Sequence, residues 1–325
     1  MIFVSTHRIR SDVQMADKIR KPPDAMDFRS PFDQNRMTFA GLICLSICLI
    51  AADEPKNLNT IVPDLVVPAL AQGEPAPGRR VESVTAGWEK TAVRHTVYLP
   101  RDWRAGKKYP VLIEFPGNGG YRNALGDVSD GSPGGCVLGY GLSGGEGFLW
   151  VALPFVEKSP DGSKRNALTW WGDVEESKRY CEATVRDVCT RYGGDPERVV
   201  LCGFSRGAIA CGYIGLNDDR IASLWRAFFC HSHYDGVRRW PYAASDAASA
   251  RVRLGRLKGR PQWISHETDV APTRRFLAES GIEAPFRFVS IPYPNHSAAW
   301  VLRDLPERRL AREWLHDAVR RDTPP

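Results

Sequence analysis

Hydrophobic and polar positions change period several times along this chain, and each change marks an element. Positions 91–99 alternate as a half-buried strand does, and Tyr109-Pro110 introduces a second apolar stretch at 111–115. Further short apolar runs follow at 148–153, 199–202, 227–230, 262–265 and 286–291. Strands that are apolar throughout are buried on both faces, which is the mark of a mostly parallel sheet covered by helices. Between them the period lengthens. Cys181, Val185, Val188, Cys189 and Tyr192 recur on one face of a helix over 175–192, which Gly193-Gly194 should end. A last helix over 306–320 would bury Leu310, Trp314, Leu315 and Ala318. With no internal repeat, the pattern predicts one α/β domain over 81–325, preceded by a Pro-, Ala- and acid-rich linker at 53–80.

Composition changes this picture only at the N-terminus. The 325 residues are 43% hydrophobic and 25% charged, a balance that excludes collagen-like, disordered and multi-pass membrane classes. The apolar run 39–52 follows Arg36 and ends in small residues, as a secretory signal peptide does. Met37 reads as the start and 1–52 as extension plus signal, so the expected location is secreted or periplasmic, with no stable membrane association after cleavage. The net charge is +6 with no run of one sign, which gives no argument for nucleic acid. Six cysteines would remain after cleavage: Cys136, Cys181, Cys189, Cys202, Cys211 and Cys230. Cys181 and Cys189 on one helix stand about 12 Å apart, too far to bridge each other.

The chemistry is concentrated after the strand at 199–202. Gly203-Phe204-Ser205-Arg206-Gly207 is a G-x-S-x-G placed between a strand and a helix-forming run, the setting of a nucleophile elbow. Such a serine needs a base, and the base needs an orienting carboxylate. His296 follows the last strand, and Asp269 follows the strand before it, so Ser205, Asp269 and His296 stand in the expected chain order. Glu267 and Asp235 are rivals for the acid. An oxyanion hole would use the amide of Arg206 and one from the loop after 111–115, with Asn118 chosen and Gly119 the alternative.

On these residues the chain resembles the α/β-hydrolase superfamily. Tyr98-Leu99-Pro100, Tyr109-Pro110-Val111, the run from Tyr192 to Val199 and the elbow carry the resemblance. Within that superfamily it is similar to secreted esterases related to poly(3-hydroxybutyrate) depolymerases, feruloyl esterases and acetyl-xylan esterases. The resemblance implies an α/β-hydrolase fold with helices on both faces of the sheet. It also implies a serine carboxylic-ester hydrolase acting through an acyl-enzyme on esters of polysaccharides or on polyesters, with no cofactor. His266-x-x-Asp269 matches that group's acid loop. Three residues depart from its pattern: Pro116 stands where histidine is usual, Glu267 where glycine is common, and Arg206 is an unusually large cation beside the nucleophile.

Other features are weighed against plainer roles. Buried Glu114 is expected to pair with Arg206, or else Arg206 faces the pocket and selects substrates that carry a carboxylate. Trp170, Trp171, Trp300 and His231 are candidates for contact with a small or polymeric substrate, although packing competes for each. His231-x-His233 has metal-compatible spacing but no third ligand nearby in sequence, so no metal is expected. Gly139-x-Gly141-x-x-Gly144 precedes a strand instead of following one, so it is not read as a dinucleotide site. Two other function classes are the prolyl-oligopeptidase type of serine peptidase and an inactive hydrolase-fold binding protein.

Overall fold

The computed structural model describes residues 56–320. Among them one sheet is built from β1 (Leu70–Ala71), β2 (Arg80–Ser83), β3 (His95–Tyr98), β4 (Tyr109–Phe115), β5 (Leu149–Ala152), β6 (Gly194–Phe204), β7 (Ala227–His231), β8 (Gln262–His266) and β9 (Phe286–Ser290). Their spatial order is β1-β2-β3-β5-β4-β6-β7-β8-β9. Strand β3 runs antiparallel to both neighbours, and the other pairs are parallel. The helices are α1 (Leu138–Ser143), α2 (Val174–Arg191), α3 (Arg206–Tyr213), α4 (Asp219–Ala222), α5 (Ala247–Leu254), α6 (Ala271–Ser280) and α7 (Pro306–Ala318).

Alternate side chains of the central strands feed two cores, which is why those strands are apolar throughout. Val111, Ile113, Val199 and Leu201 join Tyr180 and Val185 of α2 and Ile209 of α3 on one face. Leu112, Val200 and Cys202 join Leu142 of α1 and Leu315 of α7 on the other. Helix α2 opens where Asp173 accepts the Glu176 amide at 3.0 Å, and it stops before Gly193, which takes φ +75°. In α7 the buried residues are Arg308, Ala311, Leu315 and Ala318, while Leu310 is exposed. The glycines of α1 serve packing. A Cβ on Gly139 would lie 2.1 Å from Trp150, and one on Gly141 would lie 2.1 Å from Val301.

The stretch expected as a linker is laid against the domain over 56–80. Leu58 is buried in the α1/α7 core, and Arg308 holds Asp64 through two contacts of 2.7 Å. Ile61, Leu65 and Val67 pack partly against the same core, and such scattered contacts among Pro and Asp are hard to see from composition. The apolar run 39–52 and Met37 lie outside the described residues. Among the described residues no helix is long and apolar enough to cross a membrane. The six cysteines from Cys136 to Cys230 are free thiols.

Candidate active site

Ser205 stands between β6 and α3 in a backbone conformation that side chains rarely adopt, φ +53° and ψ −114°. Both flanking glycines are required by close approach. A Cβ on Gly203 would fall 2.2 Å from Gly207, and one on Gly207 would fall 2.0 Å from the Phe115 carbonyl oxygen. The Ser205 amide donates to His231 O at 3.0 Å, which ties the elbow to the end of β7.

His296 meets this serine. Its Nε2 lies 3.0 Å from Ser205 Oγ, and its Nδ1 lies 2.5 Å from Glu267 Oε1. With the proton on Nδ1 donated to the carboxylate, Nε2 is left as the acceptor for the serine hydroxyl. The ring sits among Phe204, Tyr121 and His233, at centroid distances of 4.8, 4.9 and 5.1 Å. The loop carrying His296 is held on both sides. Asn295 donates to Asp127 Oδ1 at 2.8 Å and to Asn57 Oδ1 at 2.9 Å, and it accepts from the Leu58 amide at 2.7 Å. On the other side, buried His231 donates from Nε2 to Ser297 O at 3.1 Å, while its Nδ1 accepts from Ser265 at 3.0 Å.

The acid in contact with His296 is Glu267, and Asp269 is not part of the group. Strand β8 runs to His266, so Glu267 is the first residue beyond the sheet edge and its longer side chain reaches the imidazole. Asp269 is exposed and accepts the Ala271 amide at 2.7 Å, at the start of α6. The other rival, Asp235, is buried against Arg253 through contacts of 2.8 and 3.0 Å. Burial of Glu267 opposes ionisation, but the His296 hydrogen bond and the nearby His231 and His266 outweigh it and hold the carboxyl at about 2. Burial lowers His231 and His233 to about 4, so both are neutral near pH 7.

The expected pair between Arg206 and Glu114 is not formed. Glu114 accepts the amides of Val137, Leu138 and Gly139 at 3.1, 3.1 and 2.9 Å, and Trp150 Nε1 at 2.9 Å. It thereby caps α1, and burial raises its carboxyl above the ordinary value. The Arg206 side chain is only 1% exposed, so it does not face a substrate either. Its guanidinium donates to carbonyl oxygens of Trp170 at 2.6 Å, Gly131 at 3.1 Å and Ala167 at 3.4 Å, and it packs 4.2 Å from the Phe155 ring centroid. Burial lowers this group to about 9, which still leaves it cationic at neutral pH.

Around the oxyanion loop, the Gly119 amide is taken by Leu168 O at 2.8 Å, which removes it as a free donor. Asn118 Oδ1 accepts the Trp170 amide at 2.7 Å. Trp170, at φ +47°, is therefore gripped at its N–H by Asn118 and at its carbonyl by Arg206. The loop lies against Phe204, the residue before Ser205, since a Cβ on Gly117 would come 3.0 Å from its ring. Arg206 is the first residue of α3, so its amide has no acceptor within the helix.

The remaining candidates for substrate contact are placed differently. Trp171 is buried against Phe155, Tyr213 and Tyr242. Trp300 is fully buried on Phe229 and His231, and His231 itself is a buried support of the His296 loop. Trp170 is half-buried against Trp240 and Tyr242. A cavity of about 800 Å³ is lined by Tyr121, Ser129, Asp130, Phe204 and Ser297, among others, and the rings of Tyr121 and Phe204 also meet the His296 ring. Sequence reasoning missed Tyr121, Asn295 and Ser232, whose roles come from loops meeting in space. Among the described residues no group of three or more His, Cys, Asp or Glu side chains could hold a metal ion.

No protein-family model and no curated protein matches the chain. Solved structures do. An acetyl ester-xyloside bifunctional hydrolase from Caldicellulosiruptor lactoaceticus superposes with a TM-score of 0.50 at 14% identity, over 76% of this chain and 98% of that one. A ferulic acid esterase from Anaeromyces mucronatus gives 0.47 at 15%, over 75% and 93%. A thermostable esterase gives 0.43 at 19%, over 69% of this chain and 59% of that one, so the chain spans little more than half of that enzyme. The superposition on the Caldicellulosiruptor hydrolase, with the mostly parallel sheet and the elbow between β6 and α3, shows that this chain has the α/β-hydrolase fold.

Proposed function

We propose that this protein is a serine hydrolase that cleaves carboxylic esters through an acyl-enzyme. The observation that carries the reading is the continuous chain of contacts from Ser205 Oγ to His296 Nε2, and from His296 Nδ1 to Glu267 Oε1, at a strained elbow. In this scheme His296 takes the hydroxyl proton as Ser205 Oγ bonds to the acyl carbon. Glu267 stabilises the resulting imidazolium. The amides of Arg206 and Asn118 receive the oxyanion, and the alcohol leaves with the proton from His296. Water, deprotonated by the same imidazole, then releases the acid and restores Ser205.

We place one part of the ester in the cavity of about 800 Å³, because Tyr121 and Phe204 of its lining also meet the His296 ring; a bulky acyl or alcohol part, as in an acylated polysaccharide or a polyester, would suit it. Export rests on the apolar run 39–52. The test is hydrolysis of short-chain, long-chain and feruloyl esters beside peptide amides, with wild type and Ser205→Ala. Ester turnover lost in the variant supports the reading. Amide turnover without ester turnover, or no turnover by folded wild type, overturns it.

A further inference from the structure

We propose that Ser232 is a positioning residue for the acid–base pair, its hydroxyl fixing the Glu267 oxygen that meets His296. This rests on the hydrolase reading above. Ser232 follows β7 directly and is buried, with its Oγ 3.0 Å from Glu267 Oε1 and 2.9 Å from His296 Nδ1. The hydroxyl proton goes to the carboxylate, which leaves the same oxygen atom facing the imidazole N–H. Oε1 thus collects two donors, while Glu267 Oε2 is buried with no hydrogen-bond partner. A glutamate has one more rotatable bond than an aspartate, so one contact to His296 leaves the carboxylate free to rotate; the second contact stops that rotation.

The backbone supports this reading independently. Ser232 takes φ +83°, a region that glycine enters without strain and a serine does not. Its amide donates to Ser265 O at 2.7 Å, which fixes the turn to the neighbouring strand β8. A glycine would make the same turn and the same amide bond. What the serine adds is the hydroxyl. The charged and titratable groups around His296 are Glu267 at its Nδ1, His233 and Tyr121 against its ring, and His231 and His266 close to the same carboxylate.

The experiment compares wild type, Ser232→Gly and Ser232→Ala for kcat, KM, melting temperature and the pH dependence of kcat/KM. The downfield Nδ1–H proton resonance of His296 is recorded as well. The glycine variant relieves the strained φ, so it should melt no lower than wild type. Even so, kcat should fall about tenfold in both variants with KM little changed. Loss of the second donor leaves Oε1 more basic, so the acidic limb should move to higher pH and the Nδ1–H resonance should shift. An active wild type matched by Ser232→Gly in kcat, acidic limb and resonance overturns the role of Ser232. Absence of ester turnover by wild type overturns the hydrolase reading instead.

Discussion

The two flanks of Ser205 are built from opposite kinds of contact. On one side Glu267, His296 and Ser232 bond side chain to side chain, and neutral His231 and His233 stand beside them. On the other side a buried guanidinium bonds to three backbone carbonyls, and an asparagine oxygen holds a backbone amide. The first flank holds Glu267, His231 and His233, whose protonation changes in the acidic range. The second carries a cation that stays charged there and partners that do not titrate. Under the proposed mechanism, proton movement and backbone geometry fall to separate structures, and pH should act on one without disturbing the other.

Substitutions can break this comparison, beginning with the largest effect. Ser205→Ala removes the proposed nucleophile, which both flanks share, and should lower kcat about 10⁴-fold or more, measured by ester hydrolysis. Glu267→Gln should cost about 10³- to 10⁴-fold in kcat, because the imidazole loses its orienting anion; Asp269→Asn should leave kcat unchanged. A large loss in the asparagine variant would restore Asp269 as the acid.

Arg206→Met should lower kcat about 10- to 100-fold with no shift in the pH–rate profile. It leaves the Trp170 and Gly131 carbonyls without their donor, so chemical denaturation should report a stability loss of about 3 kcal/mol. A shifted pH profile in that variant would mean the flanks are coupled.

The last prediction concerns stability against pH. His95, His231 and His233 are depressed by burial from 6.5 to about 3, 4 and 4, so below pH 6.5 the unfolded chain binds protons that the folded chain does not. Glu267 is depressed from 4.5 to about 2, so its contribution is present above pH 4.5 and lost as pH falls towards 2. Both signs make the protein less stable in acid. Each such histidine should remove about 1.4 kcal/mol per pH unit between its unfolded and folded values. Denaturant midpoints at pH 7, 6 and 5 should therefore fall progressively, and less steeply for His95→Gln. That variant lies away from the acid–base group, against Tyr180 in the core.

The strands and the elbow were legible in the sequence because each depends on neighbouring residues. An apolar run such as Val199 to Cys202 shows its own burial, and Gly203 and Gly207 show the tightness of the turn around Ser205. The acid was less legible. Glu267 and Asp269 follow the same strand, and which one reaches His296 depends on where β8 ends and on the extra methylene of glutamate. The partners of Arg206 could not be read at all. They are carbonyl oxygens, which every residue carries, brought in by loops that lie 36 to 75 positions away. The same holds for Ser232 and Asn295, whose contacts are made by separate segments of chain.

The most direct test of the whole account is covalent labelling of the folded protein with a fluorophosphonate, followed by peptide mapping by mass spectrometry. The account predicts one adduct, on Ser205, that forms fast in wild type and in Asp269→Asn and is strongly slowed in Glu267→Gln. A folded wild type that takes no label at Ser205, or a rate that depends on Asp269 and not on Glu267, would contradict it.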